Sequence, residues 1–200
     1  MTLIVKRLMF FIERNHHLED IEREKVFYGL QGLYSTITKT IVILLISFFI
    51  NNFYNTILFM LSYLPLRTFS YGLHFSNSKE CWIFSLVAYL LMPLLITKVS
   101  LPSVIIISIM TSLIPLYLLW APADTKKRPF INKNKRFINK SITVFVLLVY
   151  IALIKYVPQK ISISLFLAVI FQILLISPLV YKIFKQPYRN YLMFDRKERR

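Results

Sequence analysis

Glycine is nearly missing from this chain, with three residues among 200, and cysteine is reduced to Cys81 alone. Acids are scarce too, nine Asp and Glu against 25 Lys and Arg, and there are only three histidines. One cysteine excludes an internal disulfide framework and any thiolate-rich metal site, and leaves chemistry at Cys81 to a thiol. His16 and His17 lie on the N-terminal arm and no zincin-type spacing occurs, so neither a metal nor any other cofactor is expected. No segment of the first half has a counterpart in the second, which removes the internal repeats common in transporters.

What the chain has is apolar length. Hydrophobic residues make up 56% of it and the mean hydropathy is +0.59, far from a soluble domain of this size. A transmembrane helix needs roughly 20 predominantly apolar residues. Uncharged runs near that length recur at Thr40–Leu66, Cys81–Thr97, Leu101–Ala123, Ser141–Ile154 and Ile161–Tyr181. The first run begins too far from Met1, after too many acids, to read as a cleavable signal peptide. The expectation is an all-α polytopic membrane bundle occupying residues 1–200 as one domain: an amphipathic, interfacial segment 1–35, a bundle 36–184 and a basic tail 185–200.

A net charge of +16 raises the question of nucleic acid, but the cations fall between the apolar runs. Lys126, Lys127, Arg128, Lys133, Lys135, Arg136 and Lys140 crowd one loop, and a second group crowds the tail after Lys182. That is the positive-inside pattern, and no folded basic reader of nucleic acid is expected. With loop and tail both cytoplasmic, Ser141–Ile154 and Ile161–Tyr181 form a hairpin turning outside at Pro158–Lys160. Cys81–Thr97 and Leu101–Ala123 form another, turning outside at Lys98–Ser100, which places Arg67–Glu80 inside. The basic N-terminal segment belongs inside as well, so Thr40–Leu66 must cross an even number of times. One helix of that run would extend roughly 40 Å, and Asn51, Asn52 and Asn55 supply a turn. Two short helices there, buried against the bundle rather than fully lipid-facing, bring the total to six. Ahead of them Ile4, Leu8, Phe11 and Ile12 share a face, as in a helix lying on the inner leaflet or packing on the bundle. Prolines 93, 102, 115 and 178 mark kinks or helix ends.

Ionisable groups at membrane depth point to function, and the segment Arg67–Cys81 holds the only cysteine and the only histidine beyond the N-terminal arm. Asn77-x-x-Glu80 ahead of an apolar run reads as a helix start, with Cys81 in the first turn. The N-terminal partial charge of a helix favours a thiolate. Gly72 frees the loop for His74 to fold back and accept the thiol proton, as in other Cys-His pairs. Glu80 and Asp124, or the amide of Asn77, are candidates to orient His74. The same residues also fit a plainer role, with Cys81 an inert buried small side chain and His74 a hydrogen-bonded interface residue.

At these positions the chain resembles the accessory gene regulator protein B (AgrB) family, membrane cysteine endopeptidases of Gram-positive quorum sensing. The resemblance rests on Arg67, on Gly72 two residues before His74, on Cys81 seven residues after it, and on Ser85 one turn further. It continues in Ala121-Pro122-Ala123-Asp124 followed by Lys126, Lys127, Arg128 and Pro129, and in chain length and hydropathy layout. A more glycine-rich approach to the histidine is common in the family, whereas here Gly72 stands beside Tyr71.

The resemblance implies that Cys81 is the nucleophile and His74 the general base. The substrate would be a short pro-peptide with an amphipathic leader and an acidic C-terminal tail. The tail is cut off, the upstream fragment stays on Cys81 as a thioester, and an internal thiol or hydroxyl closes a thiolactone or lactone. A homodimer in the cell membrane, with active site and both termini cytoplasmic, is implied too. Lys126, Lys127 and Arg128 would attract the acidic tail, although topology signalling alone also accounts for them. The alternatives from other classes are a small peptide transporter, with His74 and Glu80 lining a path, and a membrane acyltransferase using Cys81 on lipid.

Overall fold

The computed structural model describes residues 3–15, 19–73, 77–125 and 131–192. Among them run eight helices: α1 (Leu3–Asn15), α2 (Asp20–Phe49), α3 (Phe53–Ser70), α4 (Ser78–Lys98), α5 (Ser103–Trp120), α6 (Lys133–Leu153), α7 (Gln159–Ile176) and α8 (Pro178–Ile183). The all-helical membrane bundle expected from hydropathy is what forms.

Five of the helices, α2, α4, α5, α6 and α7, are long and apolar enough to cross a membrane. The sixth expected crossing, α3, has 18 residues but carries Asn55, Thr56, Ser62, Arg67 and Ser70. It tolerates them because it packs against α7, α6 and α4 and buries most of these groups instead of offering them to lipid. The expected turn at the asparagines is present, with Asn51 at φ 54° and Asn55 donating its amide to Asn52 at 2.7 Å. The preceding helix is longer than the uncharged run, because α2 continues unbroken across residue 35. The second half of the expected interfacial segment, from Asp20, and the first membrane helix are one rod, while α1 is a separate helix.

α1 packs on α2, buries Val5 and Met9 and is joined to it by the Glu13–Arg23 ion pair. Of the expected apolar face, Ile4, Leu8 and Phe11 remain exposed on the protein and free to meet lipid, while Ile12 is half-buried.

α7 is the axis of the bundle: 72% of its span is buried, against 11–17% for the other four. Between lipid-like surfaces apolar burial supplies little association energy, so close packing and interhelical hydrogen bonds must hold the helices. Small residues at Ser162, Ser164 and Ala168 let α7 approach its neighbours. Ser62 and Ser164 hydroxyls meet at 2.9 Å, Tyr150 donates to the Ser62 carbonyl at 2.7 Å, and Tyr117 donates to the Val169 carbonyl at 2.9 Å. Pro93 and Pro115 sit inside α4 and α5, Pro102 caps α5 and Pro178 opens α8, all as expected, while Pro65 lies inside α3.

The two hairpin turns, Val99–Pro102 and Ile154–Pro158, lie at one end, where Gln159 donates to Ser100 at 3.1 Å. At the other end the chain after α3 is sewn to two distant segments. Tyr71 pairs with Ala123 as an isolated parallel bridge. The Gly72 N–H donates to the Ala123 carbonyl at 3.0 Å, and the Leu73 N–H to the Leu175 carbonyl at 2.9 Å. Arg67 donates to the Tyr71 carbonyl at 2.7 Å and to that of Leu73 at 2.8 Å, and Gln172 donates to the Tyr71 carbonyl at 2.7 Å. Gly72 is the one glycine this geometry requires. Its φ is +111°, and an added Cβ would lie 2.8 Å from Arg67 Nη1 and 3.1 Å from the Leu175 carbonyl.

Two outcomes are expected. With Cys81 replaced by serine, single cysteines at Ser100 and Gln159 should react with a membrane-impermeant thiol reagent from one side and a cysteine at Asn134 from the other; labelling of all three from one side would break the arrangement. Gly72→Ala should cost about 1–3 kcal/mol through backbone strain, read as a lower thermal unfolding midpoint in detergent. Gly29→Ala and Gly32→Ala, where a Cβ meets nothing within 4 Å, should be neutral or gain about 0.5–1 kcal/mol as helix-interior replacements.

Candidate active site

Cys81 belongs to the first turn of α4, as its sequence context implies. Asn77 is the N-cap, its side chain accepting from the Lys79 N–H at 3.1 Å, and the Cys81 N–H makes the first helical bond to the Asn77 carbonyl at 3.1 Å. The amide that was one option for orienting His74 is therefore engaged in capping. Glu80, the third helical residue, is exposed. Ser85 lies one turn beyond Cys81 and donates to the Cys81 carbonyl at 2.7 Å. Such a bond from serine back to the preceding turn satisfies the hydroxyl within the helix.

The residue that sequence reasoning missed is Lys39. Its ammonium, on the middle of α2, donates to the Cys81 sulfur at 3.2 Å, and both side chains are half-buried. In the sequence Lys39 serves as one more inside charge at the border of the first apolar run. Its signal was the isolation of a lone cation beside Thr40, where α2 proves to lie against α4. An ammonium at this distance stabilises negative charge on the sulfur, and its effect adds to that of the helix N-terminus.

Beside this pair opens a cleft of about 330 Å³ between α2, α3 and α4. Lys39 and Ser85 mark its end near Cys81, and Ile43, Met60, Leu61, Leu64 and Tyr89 line it further along. The cleft offers an apolar chain a place next to a nucleophilic sulfur.

Arg67 and Gly72 stand on the other side of the sequence motif and hold the Tyr71–Leu73 segment that leads toward His74. His74 itself and the cluster Lys126, Lys127 and Arg128 lie outside the described residues. Asp124 is buried, and its carboxylate is given to the tail: Oδ1 accepts from the Asn190 N–H at 2.9 Å and the Asn190 amide at 3.3 Å, and Oδ2 from the Tyr191 N–H at 2.8 Å. Its carbonyl accepts from Tyr181 at 3.0 Å. No three His, Cys, Asp or Glu side chains converge as a metal site among the described residues.

Comparison with known proteins identifies the family. The family model for accessory gene regulator B matches residues 5–176. The chain is 35% identical over 153 residues to accessory gene regulator protein B of Staphylococcus intermedius, covering 75% of this chain and 80% of that protein. It is 30% identical over 174 residues to a putative AgrB-like protein of Listeria innocua, covering 86% and 84%. A third relative, accessory gene regulator protein B of Staphylococcus epidermidis, is 28% identical over 157 residues, covering 77% and 80%. No solved structure matches the chain. With the motif spanning Arg67 to Cys81 set in a multi-pass helical bundle, and a family match across most of its length, this chain belongs to the accessory gene regulator B family.

Proposed function

We infer that the protein takes part in maturing the autoinducing peptide of a quorum-sensing system, a role its family membership supports. Beyond that, we propose that the protein is a membrane cysteine endopeptidase that cuts the acidic tail from a short pro-peptide and hands the rest to cyclisation. The observation that carries this reading is the sulfur of Cys81, in the first turn of a capped helix, with the Lys39 ammonium 3.2 Å away at the end of an apolar cleft.

His74 takes the Cys81 proton, and the thiolate attacks the scissile carbonyl carbon. A C–S bond forms, the C–N bond breaks, and the departing amine of the tail takes the proton from the His74 imidazolium. The upstream fragment is now a thioester on Cys81. A thiol or hydroxyl within that fragment attacks the thioester carbonyl and gives its proton to the Cys81 sulfur, which leaves as the restored thiol. No water is consumed, and the products are a ring and a free tail.

Lys39 acts on the charge of the sulfur at both steps, once as nucleophile and once as leaving group. The apolar cleft shelters the upstream segment, and exclusion of water there suppresses hydrolysis of the acyl-enzyme. Lys126, Lys127 and Arg128 receive the acidic tail on the cytoplasmic side.

Purified protein incubated with a pro-peptide of this design should release the tail, whereas Cys81→Ala and His74→Ala should release none while inserting normally. Normal cleavage by Cys81→Ala would falsify the mechanism, and a peptide left intact by the unaltered protein would favour a transporter. Lys39→Met should slow alkylation of Cys81 by a small neutral reagent at neutral pH by roughly tenfold to a hundredfold, the worth of a hydrogen bond to a charged group, and Lys39→Arg should restore most of the rate. Equal rates in all three proteins would remove Lys39 from the site.

A further inference from the structure

On the far side of the bundle from Cys81, the end of α5, the start of α6 and the tail enclose a pocket of about 350 Å³. Four cations line it: Lys133, Arg136 and Lys140 from one face of α6, and Arg189 from the tail. We propose that this pocket is a binding site for the phosphate of an anionic phospholipid headgroup.

A topology signal needs cations only somewhere in a cytoplasmic loop, but these four converge from two separate segments and the two arginines are held there. Arg189 donates to the Leu119 carbonyl at 3.1 Å. Arg136 lies over the Tyr191 ring, 3.9 Å from its centroid. Tyr191 is in turn anchored through its N–H to the buried Asp124 carboxylate. Among the described residues no acid lines the pocket, so bringing four like charges together is offset by an anion from elsewhere.

Height selects the source of that anion. α5 and α6 are both membrane-crossing candidates and they end and begin here, so the pocket opens at the level of the headgroups. Trp120 and Tyr191 line it with the cations, the amphipathic aromatics that sit at a membrane interface. Basic pockets between membrane helices hold anionic headgroups in this way, and two guanidinium groups match the oxygens of a phosphodiester. The acidic peptide tail, which the proposed function brings to Lys126, Lys127 and Arg128 on the same α5–α6 connection, is the competing occupant that the experiment must separate. Trp120 and Tyr191 beside the helix ends favour the lipid.

The site is independent of the peptidase reading and is tested without it. Native mass spectrometry of the full-length protein, released from micelles carrying equal phosphatidylglycerol and phosphatidylcholine, should show phosphatidylglycerol retained in preference. Arg136→Gln/Arg189→Gln should lose that preference, with about fivefold weaker retention for each charge removed. Lys6→Gln/Arg7→Gln on α1 should keep it. Should the double arginine variant fail to fold, Lys133→Gln/Lys140→Gln gives the same test while leaving the Arg189–Leu119 and Arg136–Tyr191 contacts in place. Equal retention of the two lipids, or equal loss in the α1 variant, overturns the proposal. So does full displacement by millimolar inorganic phosphate, which would mark a free-anion site, or displacement by an oligoglutamate peptide, which would assign the pocket to the substrate tail.

Discussion

A chain that leaves a helix inside a membrane protein must find partners for every backbone group it frees, because lipid offers none. That constraint falls on residues 70–73, where α3 stops short of the histidine. Arg67 meets it by turning its guanidinium back on the carbonyls of Tyr71 and Leu73, while Gln172 takes a second bond to Tyr71. The remaining groups reach Ala123 and Leu175. An arginine costly at this depth is thus tolerated because its donors replace the water the carbonyls lack. Gly72 follows from the same bonds, since a side chain there would occupy the place of the guanidinium. Arginine and glycine five residues apart are one device.

The staple has a consequence across the bundle. Ala123 precedes Asp124, whose carboxylate holds Asn190 and Tyr191, so the segment leading to His74 and the C-terminal tail are fixed to the same short stretch. The acid that sequence reasoning considered as a partner for the histidine has both oxygens committed to the tail. Its burial is compensated by backbone N–H donors, which replace the hydrogen bonds to water that a buried carboxylate gives up.

Much of this was legible in the sequence, for physical reasons that differ by element. Apolar run length reports directly on membrane crossing, so the ends of α4 and α5 were readable to within about three residues. By contrast, α6 starts well before its uncharged run because its first turns carry Lys133, Lys135, Arg136 and Lys140, and α7 stops short of its run's end at Ser177 and Pro178. The asparagines at 51 and 52 break a run that could not cross twice as a straight helix. The cap of α4 was readable because Asn77-x-x-Glu80 is a local signal. That α3 is buried against the bundle was legible too, but its partners were not, since polar residues such as Ser62 on α3 and Gln172 on α7 become acceptable only through contacts that tertiary packing brings. The pairing of Lys39 with Cys81 crosses 42 positions, and no local pattern encodes it. Orientation was read from charge alone, and the fold supports the pairing of loop ends without saying which end is cytoplasmic.

Acyl transfer from an amide to a thiol is uphill, and a site that performs it must stabilise the sulfur without making the thioester easy prey for water. A histidine and a helix N-terminus alone would leave the anionic sulfur at the edge of an apolar cleft with little compensating charge. An ammonium on α2 supplies that charge from the wall opposite α4, and being an ammonium with its carbon stem in the cleft it brings no carboxylate and little water with it. The position of Lys39 also makes the sulfur's environment depend on how α2 packs. α2 is the rod whose N-terminal half carries α1 and its exposed Ile4, Leu8 and Phe11. The peripheral helix and the Cys81 sulfur are thus connected along one helix, through the α1–α2 packing in its N-terminal half and the Lys39 ammonium near its middle.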